Sequence, residues 1–258
     1  MKRTSPRQEL VGATMSEHDG VRYLHLDSIW IQGAMRLKRP YELELEYIQR
    51  MMAWMLWRPE DEVTEGHAVQ LGLGAAAITK FCHKRLKMRT TVVELNPSVI
   101  QACRMWFRLG EDDALLRVVQ DDAGRWAADP AQRHSVQALS VDLYDHEAAG
   151  PVLDDEDFYA ACRDLLDEGG LMTVNLFGRD SSFGRSAGRI ARVFGLDQVW
   201  SLRPTREGNT VVVAARGVTV PDRETLTRRA ESIEERFGLP ARKWLRMVRP
   251  LDPALLLD

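Results

Sequence analysis

A chain of 258 residues with 45% hydrophobic and 28% charged side chains can bury one sizeable core, and no apolar run in it reaches bilayer-spanning length. The 35 Lys+Arg against 38 Asp+Glu give a formal net charge of −3, which argues against nucleic acid as a partner. Cys82, Cys103 and Cys162 have no C-x-x-C spacing, and the basic N-terminus (Lys2, Arg3, Arg7) lacks an apolar stretch. Free thiols in a reducing, cytoplasmic compartment are therefore expected.

Residues 1–18 are polar and aperiodic and read as disordered. Gly20 to Met35 alternates apolar and polar positions in two runs around Asp27-Ser28, which predicts a β-hairpin. From Tyr41 to Trp57, Leu43, Tyr47, Ile48, Met51, Met52 and Met55 recur at helical spacing after a first turn rich in Glu. The hairpin and this helix form a small N-terminal element, residues 19–58.

His67 to Pro97 organises the rest. Gly72, Gly74 and Ala77 fit a G-x-G-x-x-G/A spacing directly after the apolar run Ala68 to Leu71, and Glu94 ends the next strand about twenty residues on. Such glycines let backbone approach a ligand at a helix N-terminus, while the acid accepts hydrogen bonds from a ribose diol. The spacing predicts an adenosine site and leaves open NAD, S-adenosylmethionine and decarboxylated S-adenosylmethionine.

Further strands are predicted over Leu116 to Gln120, Val136 to Leu143 and Leu171 to Phe177, alternating with helices near 97–108, 155–167 and 181–194. The runs Gln198 to Leu202 and Thr210 to Ala215 are too close for a crossover helix and must pair antiparallel. Five parallel strands closed by an antiparallel hairpin predict an α/β class I methyltransferase-type, Rossmann-like, doubly wound seven-stranded sheet over residues 59–220. Residues 221–258 read as a helix from Asp222 to about Phe237 and a basic, surface-packed tail.

Acids stand at three strand ends, Glu94, Asp121-Asp122 and Asp142 with Asp145, and this fold brings them to one crevice. Asp122 can accept from an adenine amine or simply cap a helix. Carboxylates beside a nucleoside suit a cationic substrate, or a base for an attacking nitrogen. The histidines show no metal-ligand spacing, so no metal is expected.

GLGAAAITKF, VVELNPSVI, VVQDDAGRW, VDLYD and DFYAACRDLLDEGGLMTVN, in this order, resemble the spermidine synthase (polyamine aminopropyltransferase) family over roughly residues 20–216, including the N-terminal LHLDSIWIQ. The resemblance implies transfer of a 3-aminopropyl group from decarboxylated S-adenosylmethionine to a polyamine such as putrescine, by a homodimer with its N-terminal hairpin as a contact. It implies that Gly72, Gly74, Glu94, Asp122, Ala123 and Gln32 bind the donor. Asp142 and Tyr144 would hold the reacting groups, with Asp145 as the base. Departures are also visible. Ala75 stands where the family's GGGDGG loop has an aspartate that binds the aminopropyl amine. The family's D-S-S-D is here Asp142-Leu143-Tyr144-Asp145, its glutamine on the fifth strand is Asn175, and its Tyr-x-Glu is echoed by Tyr47 and Gln49. The alternatives are an S-adenosylmethionine-dependent methyltransferase and a non-catalytic nucleoside-binding relative.

Overall fold

The computed structural model describes residues 10–144, 151–177 and 181–256. A three-stranded antiparallel sheet opens the chain, made of β1 (Ala13–His18), β2 (Val21–Leu26) and β3 (Gly33–Arg36). The expected hairpin is β2–β3. Ala13–His18, read from its polarity as disordered, is instead an added edge strand paired along its length with β2. Its side chains are mostly exposed, so it carries no apolar alternation to betray it.

The helix expected over Tyr41 to Trp57 is shorter. It comprises α1 (Glu46–Arg50), which tightens into a 3-10 helix at Met51–Leu56. The Thr173 hydroxyl donates to the Met51 carbonyl at 2.9 Å, and all six residues Met51–Leu56 are buried. A segment buried all round has no polar face to mark its limits.

The large domain follows in strict alternation: β4 (His67–Leu71), α2 (Ala77–Lys80) continuing as a π-helical turn, β5 (Arg89–Glu94), α3 (Pro97–Trp106), β6 (Leu116–Gln120), α4 (Ala123–Ala127) and β7 (Val136–Val141). Then come α5 (Glu156–Leu165), β8 (Leu166–Phe177), α6 (Ser181–Phe194), β9 (Val199–Ser201), β10 (Asn209–Ala215), α7 (Arg223–Phe237), α8 (Ala241–Met247) and β11 (Arg249–Pro250). Helix starts follow side-chain capping. Asn96, Asp122, Asp155 and Asp222 each accept from a backbone N–H two or three residues on, and Pro97 takes the first position of α3.

Among the described residues the sheet order is β11-β9-β10-β8-β7-β4-β5-β6. β8, β7, β4, β5 and β6 are parallel, and β10 lies antiparallel between β8 and β9. This is the expected seven-stranded arrangement with one addition at its edge, the two-residue β11 contributed by the tail. Nor is the tail merely superficial: Ala241 and Trp244 of α8 are buried.

Alternation along the strands divides the core into three clusters. Ala68, Ala138, Leu171, Val211 and Val213 face Trp54, Cys82, Trp244 and the methionine-rich 3-10 helix. Val69, Leu139, Val141, Met172 and Val212 face α5 and α6, including Cys162. The third joins Leu24 and Met35 of the small sheet to Val92, Cys103 and Phe107. The three cysteines are free, and burial pushes all three thiols up, Cys82 to about 12. Among the described residues no helix is long and apolar enough to cross a membrane, and no group of three or more His, Cys, Asp or Glu could hold a metal ion.

Candidate active site

The carboxyl ends of the parallel strands open into a cavity of about 1540 Å³, ample beside the roughly 300–1,000 Å³ of ordinary ligand pockets. Its floor is the glycine loop. Gly72 has φ +88°, and a Cβ there would lie 2.1 Å from the Asp142 carbonyl oxygen, so glycine alone lets the ends of β4 and β7 meet. Gly74 (φ +50°) lies under β3, where a Cβ would meet the Gln32 carbonyl at 2.9 Å. The buried Gln70 fastens the loop from below. Its Nε2 donates to the Gly72 carbonyl at 2.6 Å, and its Oε1 accepts from Thr79 N at 3.0 Å.

Glu94, at the end of β5, grips the same loop. Its Oε2 accepts from Leu73 N at 2.9 Å and its Oε1 from Asn96 N at 2.8 Å. Each carboxylate oxygen has a second lone pair, so the group can hold the loop and still accept from a diol. Burial raises its pKa, and the backbone donors oppose that rise. Asp122 caps α4, its Oδ1 accepting from Arg125 N at 2.8 Å, and the residue also lines the cavity with Ala123.

At the centre stands Asp142, just past β7. Its Oδ1 accepts from Asn175 Nδ2 at 2.9 Å and its Oδ2 from the Tyr47 hydroxyl at 3.3 Å. The Asn175 side chain is itself fixed, its Oδ1 accepting from Asn209 Nδ2 at 3.1 Å, while the Tyr144 hydroxyl donates to the Asn175 carbonyl at 2.8 Å. Burial raises the Asp142 pKa, and hydrogen bonds from Asn175 and Tyr47 pull it partly back. Tyr47 is held well above its usual value, by burial first and then by the Asp142 charge, so it stays a neutral donor. A partly desolvated carboxylate positioned by two donors is suited to accept a proton.

The structure thus gathers Gly72, Gly74, Glu94, Asp122, Ala123, Gln32, Asp142 and Tyr144 around one cavity. Asp145 lies outside the described residues. Ala75 does not face the cavity; it is buried in the third core cluster against Gly33, whose Cβ would lie 2.7 Å from that of Ala75. The apolar hairpin residues Ile29, Trp30 and Ile31 are exposed and form the cavity's mouth.

Sequence reasoning did not assign Glu44, Glu46, Glu207 or Asn209 to the site. Glu44 lies just before α1, and Glu46 opens it. Arg36 holds Glu44 in a two-pronged contact, with Nε to Oε2 at 2.8 Å, and both Arg50 and Lys243 of α8 reach Glu46 Oε1, at 2.8 and 2.7 Å. The hydrogen bond from Lys243 is the main cause lowering the Glu46 pKa. Asn209 opens β10, whose register sets it opposite Phe177.

No family model matches the chain. It is similar to the polyamine aminopropyltransferase of Chromobacterium violaceum, with 32% identity over 227 residues, spanning 87% of this chain and 84% of that protein. Among solved structures, a probable spermidine synthase from Corynebacterium glutamicum superposes with TM-score 0.67 at 18% identity, over 92% of this chain and 94% of that one. Human methyltransferase-like protein 13, solved with SAH, superposes with TM-score 0.66 at 20% identity, over 83% and 98% of the two chains. The likeness to these two structures is one of fold.

Proposed function

We infer the reaction from one premise, that the chain belongs to the polyamine aminopropyltransferase family: it moves a 3-aminopropyl group from decarboxylated S-adenosylmethionine to a polyamine such as putrescine. The observation that carries this reading is the charge of the cavity. Glu44, Glu46, Glu94, Asp122, Asp142 and Glu207 line it, and no Lys, Arg or His is among its described lining residues. A field of one sign concentrates ligands of the other, and both donor and acceptor here are cations.

Glu94 takes the ribose hydroxyls, Asp122 the adenine amine, and the loop at Gly72 and Gly74 lies beneath the donor, whose adenine side meets Ile29 and Trp30. Asp142 binds the attacking amine and takes its proton. As the nitrogen lone pair forms its bond to the methylene carbon next to sulfur, the carbon–sulfur bond breaks. Its electrons pass to sulfur, neutralising the sulfonium and releasing methylthioadenosine. The single proton that the ammonium gives up to free this lone pair is the one that Asp142 accepts, its orientation fixed by Tyr47 and Asn175, and the product nitrogen keeps the positive charge that sulfur loses. The resemblance implies Asp145 as the base, and that residue lies outside the described ones; the role is proposed for Asp142 because, among the described residues, it is the carboxylate that Tyr47 and Asn175 orient. The protein acts in the cytoplasm as a homodimer in this reading.

Purified protein incubated with decarboxylated S-adenosylmethionine and a panel of diamines should release methylthioadenosine, and no product with any amine would end the reading. S-adenosylmethionine-dependent methyl transfer is the second reading, favoured by the likeness in fold to a methyltransferase-like protein solved with SAH. Tighter binding of the carboxylated donor than of the decarboxylated one would support it.

A further inference from the structure

We propose that Glu207 is the specificity-determining residue for the acceptor, binding the far ammonium of an α,ω-diamine while Asp142 holds the near one. This rests on the aminopropyl-transfer reading above and names the end of the cavity that reads the acceptor.

The sheet order supplies the geometry. Glu94 ends β5 and Asp122 follows β6, so the nucleoside half lies on the β4-β5-β6 side of Asp142. On the other side of β7 come β8, carrying Asn175, and β10, beginning at Asn209. The β9–β10 loop that bears Glu207 lies at this same edge, because β10 starts opposite the carboxyl end of β8. From β7 to β10 is two strand spacings, about 10 Å at roughly 4.8 Å each. A short diamine, together with the reach of two acidic side chains, covers that span. The donor's own ammonium lies only three carbons from sulfur and stays on the near side.

The carboxylates at this end differ in availability. Glu44 is engaged by Arg36, and Glu46 by Arg50 and Lys243. Glu207 is exposed, lines the cavity, and has no hydrogen bond or ion pair among the described residues. Its loop is nonetheless held in shape. Thr205 N donates to the Asn209 carbonyl at 2.8 Å, Asn209 N donates to Thr205 Oγ1 at 3.2 Å, and a guanidinium N–H of the buried Arg50 donates to the Arg203 carbonyl. A fixed loop presenting into a cavity a carboxylate that has no partner among the described residues fits an ammonium of the substrate.

The test is calorimetric titration of 1,4-diaminobutane and 1-aminobutane into the full chain saturated with methylthioadenosine, for wild type, Glu207→Gln and Glu207→Asp. We expect wild type to bind the diamine at least tenfold more tightly than the monoamine, and Glu207→Gln to lose most of that ratio while binding the monoamine as wild type does. Glu207→Asp, one methylene shorter, should shift the preference toward 1,5-diaminopentane. An unchanged diamine-to-monoamine ratio in Glu207→Gln, or no preference in wild type, overturns the proposal. The expected binding pattern without methylthioadenosine release in any turnover assay would reject aminopropyl transfer and leave Glu207 as the diamine anchor.

Discussion

Gly72→Ala probes the contact on which the site is built. At φ +88° a side chain costs roughly 1–2 kcal/mol. The added methyl would also lie 2.1 Å from the Asp142 carbonyl oxygen, far inside the roughly 3.5 Å of ordinary contact. The Asp142 backbone must retreat by about 1 Å, and a misplacement of that size near the chemistry costs on the order of 100-fold in rate. Gly169→Ala is the control: φ is +77° there, but nothing lies within 4 Å of the new methyl, leaving backbone strain alone. We expect Gly169→Ala to lose about 1 kcal/mol with full turnover, and Gly72→Ala to lose about 3 kcal/mol and about 100-fold in kcat. At roughly 2–4 °C per kcal/mol for a chain of this size, the two melting curves should stand about 4–8 °C apart. Superimposed melting curves with unimpaired turnover in Gly72→Ala would refute the reasoning.

Three further outcomes follow from the site and its supports. A base must be ionised, so kcat/KM should fall as pH drops through the raised pKa of Asp142; Tyr47→Phe removes a hydrogen bond that favours the carboxylate and should move this acid limb to higher pH, and a limb that stays put would reject Asp142 as the base. Glu94→Gln leaves an amide nitrogen that cannot accept from Leu73 N or Asn96 N, so donor KM should rise about 10–100-fold, the equivalent of roughly 1.5–3 kcal/mol, with amine KM little changed. Steady-state kinetics with each substrate varied would expose a wrong assignment as an equal effect on both. Burial, then the Arg89 charge, lowers His67 from the usual 6.5 to about 4. Between those values the unfolded chain binds the proton and the folded one does not, so urea-derived stability should be flat above 6.5 and fall as pH drops toward 4. In His67→Gln that fall should be smaller, the remainder including the contribution of His83, which burial also lowers.

What the sequence made legible was local. The glycine turn, the strand over Leu116 to Gln120, the closing antiparallel pair and the acids at the strand ends each rest on a pattern within a few residues, and each is present. The polar β1 was not legible, because its strand state comes from pairing with β2 rather than from its own side chains. Ala75 looked like a gap facing the donor because the motif numbers residues along the loop; the folded loop turns that position toward Gly33. Asn209 and Glu207 reach the cavity only through the β8–β10 register, and Lys243 meets Glu46 across 197 residues of chain. No local periodicity encodes contacts of that separation.

The placement of the thiols gives the molecule a built-in set of reporters. Cys82, Cys162 and Cys103 fall one to each of the three core clusters, all buried and all held in the unreactive protonated form. An alkylating reagent can reach one only when its own cluster opens, so residue-resolved modification of the unaltered chain dissects the stability of the molecule layer by layer. Cys103 is the most useful of the three, because its thiol donates to the Gly74 carbonyl at 3.1 Å. Slower labelling there on adding nucleoside, with Cys82 and Cys162 unchanged, would measure how far an occupied glycine loop stiffens the helix behind it.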